Sequence, residues 1–251
     1  MRTGRMLGVL GGMGPLASAH FMVRLTQLTP ADREQDHVPA VLWSDPRVPD
    51  RTKGKTTGSH DPLPWLLRGL AGLTAAGCGA IAIPCNTAHG WYDEMQAACE
   101  IPILHIVETA ARELGRSVTP PGPVGIIATA ATLRMRLYQD RLEHLGWDCI
   151  IPGSNAMDSL VSPAIAAVKQ NRAHDAHAPL LEVVNNLADK GAVSVVLGCT
   201  EIPIGLQAGR QETLRVPVVD TIDALARASI AWVRGQDWAA TGASQDPRHR
   251  L

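Results

Sequence analysis

The amino-acid sequence predicts an α/β protein made of two similar halves, each a parallel β-sheet flanked by helices. Three observations predict this. Short apolar runs alternate with longer amphipathic or Ala/Leu-rich segments, the pattern of βα units. The apolar runs are continuous and not alternating, as strands buried on both faces require. The motif spacing of the first half recurs in the second. Cys85, in Pro84-Cys85-Asn86-Thr87, lies 77 residues after Gly8, and Cys199, in Gly198-Cys199-Thr200-Glu201, lies 74 residues after Gly125. Pro102 opens a strand 17 residues after Cys85, and Pro217 opens one 18 residues after Cys199. A helix closes each half. The repetition points to a duplication.

Taken in order, the first strand is expected at Met6–Leu10. Its short apolar stretch is broken at once by Gly11 and Gly12, so it reads as a strand and not as a signal peptide. A helix follows over Leu16–Leu28, with Pro15 suited to its first turn. After a strand at Ala40–Trp43, Ser44–His60 is polar and carries Arg47, Arg51, Lys53 and Lys55. It shows no periodicity and is read as a long loop, a candidate lid. A helix at Pro62–Ala76, a strand at Ala80–Ile83, a helix at His89–Ala98, a strand at Ile103–Ile106 and a helix at Val107–Leu114 complete the first half. Thr119-Pro120-Pro121-Gly122-Pro123 is the densest Pro/Gly cluster and reads as the boundary. The second half is expected to contain strands at Val124–Ala128, Cys149–Ile151, Val193–Leu197 and Val216–Val219. Its helices are expected at Arg134–Leu145, Met157–Lys169, Ala178–Lys190 and Ile222–Val233. The polar tail over 236–251 is expected to be flexible.

Composition excludes several classes of function. Lys and Arg number 23 against 24 Asp and Glu, a formal net charge of −1. That leaves no basic footprint for nucleic acid and no polybasic membrane patch. Aromatic residues are 4% of the chain, too few for base-stacking platforms. No apolar run approaches the roughly 20 residues of a membrane span. The five cysteines are odd in number and include no Cys-x-x-Cys. They read as reduced thiols of a cytoplasmic protein.

Three motifs carry chemistry. Gly12-Met13-Gly14-Pro15-Leu16-Ala17 fits the dinucleotide string G-x-G-x-x-G/A. However, no acidic residue closes a clear second strand about 20 residues on, as that site needs. A tight strand–helix turn, or an anion site at the helix start, stays open. Cys85 and Cys199 each stand just past a buried strand, where open α/β sheets place ligands. A helix start there favours thiolate. Burial alone would explain any single cysteine, and it suffices for Cys78, Cys99 and Cys149. The matched placement of the other two calls for more. Cys85 and His89, four apart, have chelate spacing, but no regular third or fourth ligand follows. Two thiols facing each other across a cleft would let one remove a proton while the other delivers one to the opposite face.

These motifs resemble the aspartate/glutamate racemase family. The resemblance is carried by Gly8-Val9-Leu10-Gly11-Gly12-Met13-Gly14-Pro15, Val48-Pro49-Asp50-Arg51-Thr52, Pro84-Cys85-Asn86-Thr87-Ala88-His89 and Leu197-Gly198-Cys199-Thr200-Glu201-Ile202-Pro203. The Gly-Gly-Met-Gly-Pro opening and the Pro-Asp-Arg-Thr stretch are similar to its aspartate racemase branch. The resemblance implies two pseudo-symmetric α/β lobes with the active site in the cleft between them. The first lobe would comprise 1–118 and a returning helix within 214–235, and the second 119–213. It also implies a homodimer, no metal, no cofactor and an acidic amino-acid substrate. Cys85 and Cys199 would be the acid/base pair. Asn86, Thr87 and Thr200 would hold the α-carboxylate and ammonium, and Met13 and Thr129 would line the pocket, with Thr132 a further candidate. Arg51 and Lys169 would bind the distal carboxylate. Glu201 stands where glutamate racemases tend to carry His; it either tunes Cys199 or is a solvated carboxylate at a helix start.

The implied activity is reversible racemisation of aspartate, with glutamate or a broader set as alternatives. A one-thiol decarboxylase or cis–trans isomerase of a malonate- or maleate-like acid would need only one of the cysteines. A dinucleotide-dependent oxidoreductase rests on the Gly turn alone. A two-lobed solute-binding protein would need neither thiol.

Overall fold

The computed structural model describes residues 5–57, 61–118, 122–209 and 214–236. The first half runs β1 (Leu7–Gly11), α1 (Pro15–Leu28), β2 (Ala40–Ser44), α2 (Arg51–Thr57), α3 (Leu63–Ala75), β3 (Ala80–Ala82), α4 (Tyr92–Ala97), β4 (Ile103–Leu104) and α5 (Ile106–Ser117). The second half opens with β5 (Val124–Ala128), α6 (Ala130–Arg134), α7 (Gln139–His144), β6 (Cys149–Ile150), α8 (Ser154–Ala156) and α9 (Ser162–Lys169). It continues with α10 (His174–Asp189), β7 (Ser194–Gly198), α11 (Glu201–Gln207), β8 (Val218–Asp220) and α12 (Thr221–Val233). A π-turn over Met157–Val161 joins α8 to α9.

The strands form two four-stranded sheets, ordered β2-β1-β3-β4 and β6-β5-β7-β8. Every pairing is parallel. The two orders are the same permutation, so the repeat read in the motif spacing is also a repeat of topology. Gly8 pairs with Ile81 in one sheet and Gly125 with Val195 in the other. A Cβ on Gly8 would lie 2.7 Å from Ile81 Cδ1 and 3.2 Å from Leu73 Cβ; on Gly125 it would lie 2.9 Å from Val195 Cγ2 and 3.3 Å from Leu187 Cβ. In each half, glycine lets the covering helix, α3 or α10, sit close on the central strand. β1, β5 and β7 are buried throughout, which accounts for their unbroken apolar sequence.

One apolar core joins the sheets. It runs from Leu7, Phe21 and Leu104 through Ile106 and Leu114 of α5 to Ile126, Leu197 and Leu225. The closing helices cross over. α12 packs along α1 and α5, and Arg24 donates to both carboxylate oxygens of Asp223 at 2.6 and 2.7 Å. α5 packs against α7, β7 and β8, with Arg141 Nη2 on Glu108 Oε2 at 2.8 Å. The segment 214–235, expected wholly in the first lobe, therefore divides: β8 belongs to the second sheet, and α12 packs along α1 and α5 of the first half.

Two other expectations are corrected. The stretch 44–60 is not a structureless loop, because α2 lies within it. Asp50 accepts from Lys53 N at 3.0 Å to start that helix, and α2 packs across on α6. The helix expected over Arg134–Leu145 breaks between α6 and α7, where Arg136 turns left-handed at φ 53°. The helix start expected beside Cys199, given no extent from sequence, runs as a helix over Glu201–Gln207. The cluster at 119–121 and the tail from 237 lie outside the described residues.

Candidate active site

The carboxyl ends of β3 and β7 converge on one pocket. β3 ends at Ala82, with Cys85 three residues beyond, and β7 ends at Gly198, directly before Cys199. The pocket is lined from the first half by Met13, Asp50, Arg51, Thr52, Cys85, Asn86 and Thr87. The second half supplies Thr129, Lys169, Cys199, Thr200 and Glu201. Its empty space, mouth included, is about 310 Å³, at the small end for a ligand site. The residues assigned to the site from sequence lie on this wall except Thr132, which is fully buried behind Thr87 and Thr129. Both thiols are 5% exposed.

The Gly-rich turn is a wall and not a phosphate cradle. Gly12 adopts φ +89°, and a Cβ there would lie 2.4 Å from Asp45 O. Its N–H is already given to Ser18 Oγ at 2.9 Å. Asp45, the acidic residue following β2, is held by Arg47 at 2.8 and 2.9 Å. The glycine serves close packing, and Met13 faces the pocket.

Cys85 is set by His89. The Ile106 N–H donates to His89 Nε2 at 3.2 Å, so Nδ1 carries the proton and donates to Cys85 O at 3.0 Å. Burial, against hydrogen bonds to the Cys85 and Leu104 backbone, lowers the imidazole to about 4. Both ring nitrogens are occupied, so His89 anchors the Cys85 backbone and has no nitrogen left for a metal.

The residues after Cys85 reach across the cleft. The hydroxyls of Thr87, Thr129 and Thr132 form a triangle with 3.0 Å sides, and Thr129 also caps α6 by accepting from Thr132 N at 3.2 Å. Asn86 is locked from the second half. Tyr138 Oη donates to its Oδ1, and its Nδ2 donates to Thr221 Oγ1 at 3.2 Å, which in turn donates to Leu197 O at 2.9 Å. Tyr138 is fully buried, and burial keeps its phenol well above the usual range. Sequence reading assigned Tyr138 no role, since its partner is 52 residues away.

The second thiol differs from the expectation. A helix start was expected to favour thiolate. Instead burial, reinforced by the Glu201 charge and opposed by Lys169, pushes the Cys199 thiol well above its usual range. Cys199 Sγ donates to Glu201 Oε2 at 3.1 Å, and Thr200 Oγ1 donates to the same oxygen at 3.2 Å. Glu201 is 4% exposed, so it is not a solvated carboxylate. At the mouth, burial works against the Lys169 ammonium, but the charges of Glu201, Cys199 and Cys85 outweigh it and raise the group. Burial likewise opposes ionisation of Asp50, but the Lys53 N–H, Lys169 and Arg51 hold its carboxyl low. Arg51 Nη1 donates to Val48 O at 3.1 Å and Pro49 O at 3.0 Å.

A duplicated parallel-sheet fold with one thiol from each half at a shared pocket matches a known class of isomerase. The family model for Asp/Glu/hydantoin racemases matches residues 10–229, and the chain belongs to that family: it is an amino-acid racemase. Among curated relatives it is similar to the broad specificity amino-acid racemase RacX of Bacillus subtilis (strain 168), with 27% identity over 233 residues, 90% of this chain and 97% of that one. Among solved structures it is similar to the aspartate racemase of Picrophilus torridus, with 30% identity and a TM-score of 0.81 over 92% of this chain and 95% of that one. The glutamate racemase of Francisella tularensis shares the fold, with a TM-score of 0.66 at 19% identity over 96% and 85% of the two chains. No helix among the described residues is long and apolar enough to cross a membrane.

Proposed function

We propose that this racemase interconverts L- and D-aspartate by a two-thiol proton transfer between Cys85 and Cys199. One observation carries the reading: thiols from equivalent strand ends line a single small pocket that also holds two cations, Arg51 and Lys169. One thiolate takes the α-proton as the opposite thiol delivers its own proton to the other face of the carbon. Both proton-transfer roles are thereby filled by the chain, and the reading calls for no cofactor. The α-carbanion resists formation because charge builds on the α-carboxylate. Donors on that carboxylate must strengthen as the charge develops; Asn86, Thr87 and Thr200, beside the thiols, would supply them through side chains and backbone N–H groups. Asn86 is pre-oriented by Tyr138 and Thr221, so little reorganisation accompanies the step. Arg51 and Lys169 would take the distal carboxylate.

The test is polarimetry of the purified protein with single enantiomers of aspartate, glutamate and alanine. Loss of optical rotation with aspartate fastest is the expected result, abolished in Cys85→Ser and in Cys199→Ser. Full racemisation by either variant sinks the two-thiol scheme. A preference for alanine sinks the acidic substrate and leaves the scheme standing. Sedimentation of the same preparation tests the homodimer.

A further inference from the structure

The two halves put chemically different groups at one equivalent position. Two residues beyond Cys85 is Thr87, whose hydroxyl both donates and accepts within the Thr129–Thr132 triangle. Two residues beyond Cys199 is Glu201, whose carboxylate can only accept. Its Oε2 takes the Cys199 S–H and the Thr200 O–H. Its Oε1 is buried without a hydrogen-bond partner and faces the Gly-rich turn, 3.3 Å from where a Cβ on Gly14 would stand. The duplicated scaffold places the thiols at equivalent strand ends, and Glu201 gives Cys199 a charged neighbour that Cys85 lacks at the matching position.

We propose that Glu201 is a positioning residue that holds the proton on Cys199, so that the resting enzyme carries Cys199 as its acid and Cys85 as its base. This rests on the two-thiol reading above. The geometry supplies the reason. A carboxylate 3.1 Å from sulfur accepts from a thiol but opposes a thiolate, since two like charges at that distance disfavour joint ionisation. The groups facing the pair are Lys169 on α9, Cys85 and Arg51 from the first half, and Tyr138 behind Cys199. Lys169 lines the pocket with both sulfurs, whereas the Glu201 carboxylate touches only Cys199. Burial of Cys199 works in the same direction as the carboxylate. In turnover the Cys85 sulfur gains the α-proton and the Cys199 sulfur loses its own to carbon. The enzyme resets when Cys85 releases a proton to water and Cys199 takes one back, and Glu201 favours that return.

The test reads thiol reactivity and not racemisation. In Cys85→Ser, Cys199 is alkylated with iodoacetamide across a pH series and the modified peptide is quantified by mass spectrometry, apart from Cys78, Cys99 and Cys149. Glu201→Gln, added to Cys85→Ser, should lower the pH midpoint by about one unit, equivalent to about tenfold more thiolate below it. Glu201→Asp, which keeps the charge, should leave most of the original midpoint. In the unsubstituted protein at neutral pH, iodoacetamide should label Cys85 before Cys199, a measurement that needs no folded variant. An unmoved midpoint in Glu201→Gln, or Cys199 labelled first, overturns the proposal. Neither result touches the two-thiol reading, which fails separately if Cys85→Ser still racemises aspartate.

Discussion

Replacing Arg51 by Ala tests whether the proposed acidic substrate is recognised through this residue, on a chain with no net pull on anions. The formal charge of −1 means that recognition has to be local. Arg51 is the first residue of α2 and is half-buried on the pocket wall. Its Nη1 is pinned to Val48 O and Pro49 O at 3.1 and 3.0 Å. The pin fixes the plane of the guanidinium, so its remaining N–H groups can meet a carboxylate as a fork. Removing a buried, hydrogen-bonded charge partner costs ~2–5 kcal/mol. Arg51 is only half-buried and Lys169 remains nearby, so the lower end applies. A loss of ~2–3 kcal/mol corresponds to a roughly 30- to 150-fold fall in kcat/KM for aspartate. Alanine has no distal carboxylate, and its slow turnover should fall far less. The assay is kcat/KM for both amino acids, by polarimetry, in the unsubstituted protein and in Arg51→Ala. Arg51→Lys should recover only part of the loss, because a point charge does not reproduce the fork. Equal falls for aspartate and alanine would refute the reasoning, and would leave Arg51 a role in holding α2 across the cleft.

Tyr138→Phe removes the donor on Asn86 Oδ1 and leaves a buried carbonyl oxygen unpaired; urea unfolding should show a loss of ~1–3 kcal/mol, with kcat reduced. Gly8→Ala and Gly125→Ala should each lower the Tm by comparable amounts, since each methyl meets a strand neighbour at 2.7 or 2.9 Å. Gly115→Ala, in α5 with nothing within 4 Å of the new Cβ, should instead stabilise by ~0.5–1 kcal/mol. Asp220 caps α12 through the Ile222 N–H at 2.8 Å, and burial, with the neighbouring Asp223 charge, pushes its carboxyl up to about 6. A carboxyl raised in the folded state binds its proton more tightly there than when unfolded, so stability falls as pH rises from about 4 to about 6. Asp220→Asn keeps a capping side chain and should flatten that fall, as read from urea midpoints at both ends of the window.

The sheets were legible in the sequence because a parallel strand buried on both faces has no choice but an apolar run. The paired cysteines were legible because duplication repeated their interval from the first strand of each half. What was not legible depends on contacts distant in sequence. α2, Arg51-Thr52-Lys53-Gly54-Lys55-Thr56-Thr57, has no apolar stripe; it is started by Asp50 and held by packing on α6. The extent of α11 was not legible either, as it runs through Pro203 and Gly205. Proline is tolerated in a first helical turn, and Gly205 is required because a Cβ there would lie 2.7 Å from Leu180 Cδ1 and 2.9 Å from Ala176 Cβ. The break between α6 and α7 has neither Pro nor Gly, yet it is what brings Tyr138 to Asn86.

The role proposed for Glu201 would give such a site both its symmetry and one departure from it. Two thiols that remove and return protons on opposite faces of a carbon must stand at equivalent places, and a duplicated sheet supplies that at once. Two equivalent thiols in one pocket would, however, be equally ready to lose a proton, and a bound substrate needs one of each kind. An asymmetric neighbour is the least change that separates them. Because the equilibrium constant between enantiomers is one, kcat/KM must be equal in the two directions whatever Glu201 does. A resting bias toward one protonation state can therefore appear only in KM against kcat: the enantiomer that needs Cys199 as base binds the minor form and has its apparent affinity reduced by that fraction. Glu201→Gln should bring the KM values of the two enantiomers together. If they stay apart by the original ratio, the difference between L- and D-substrate lies in how the pocket holds the carboxylates and not in where the proton rests.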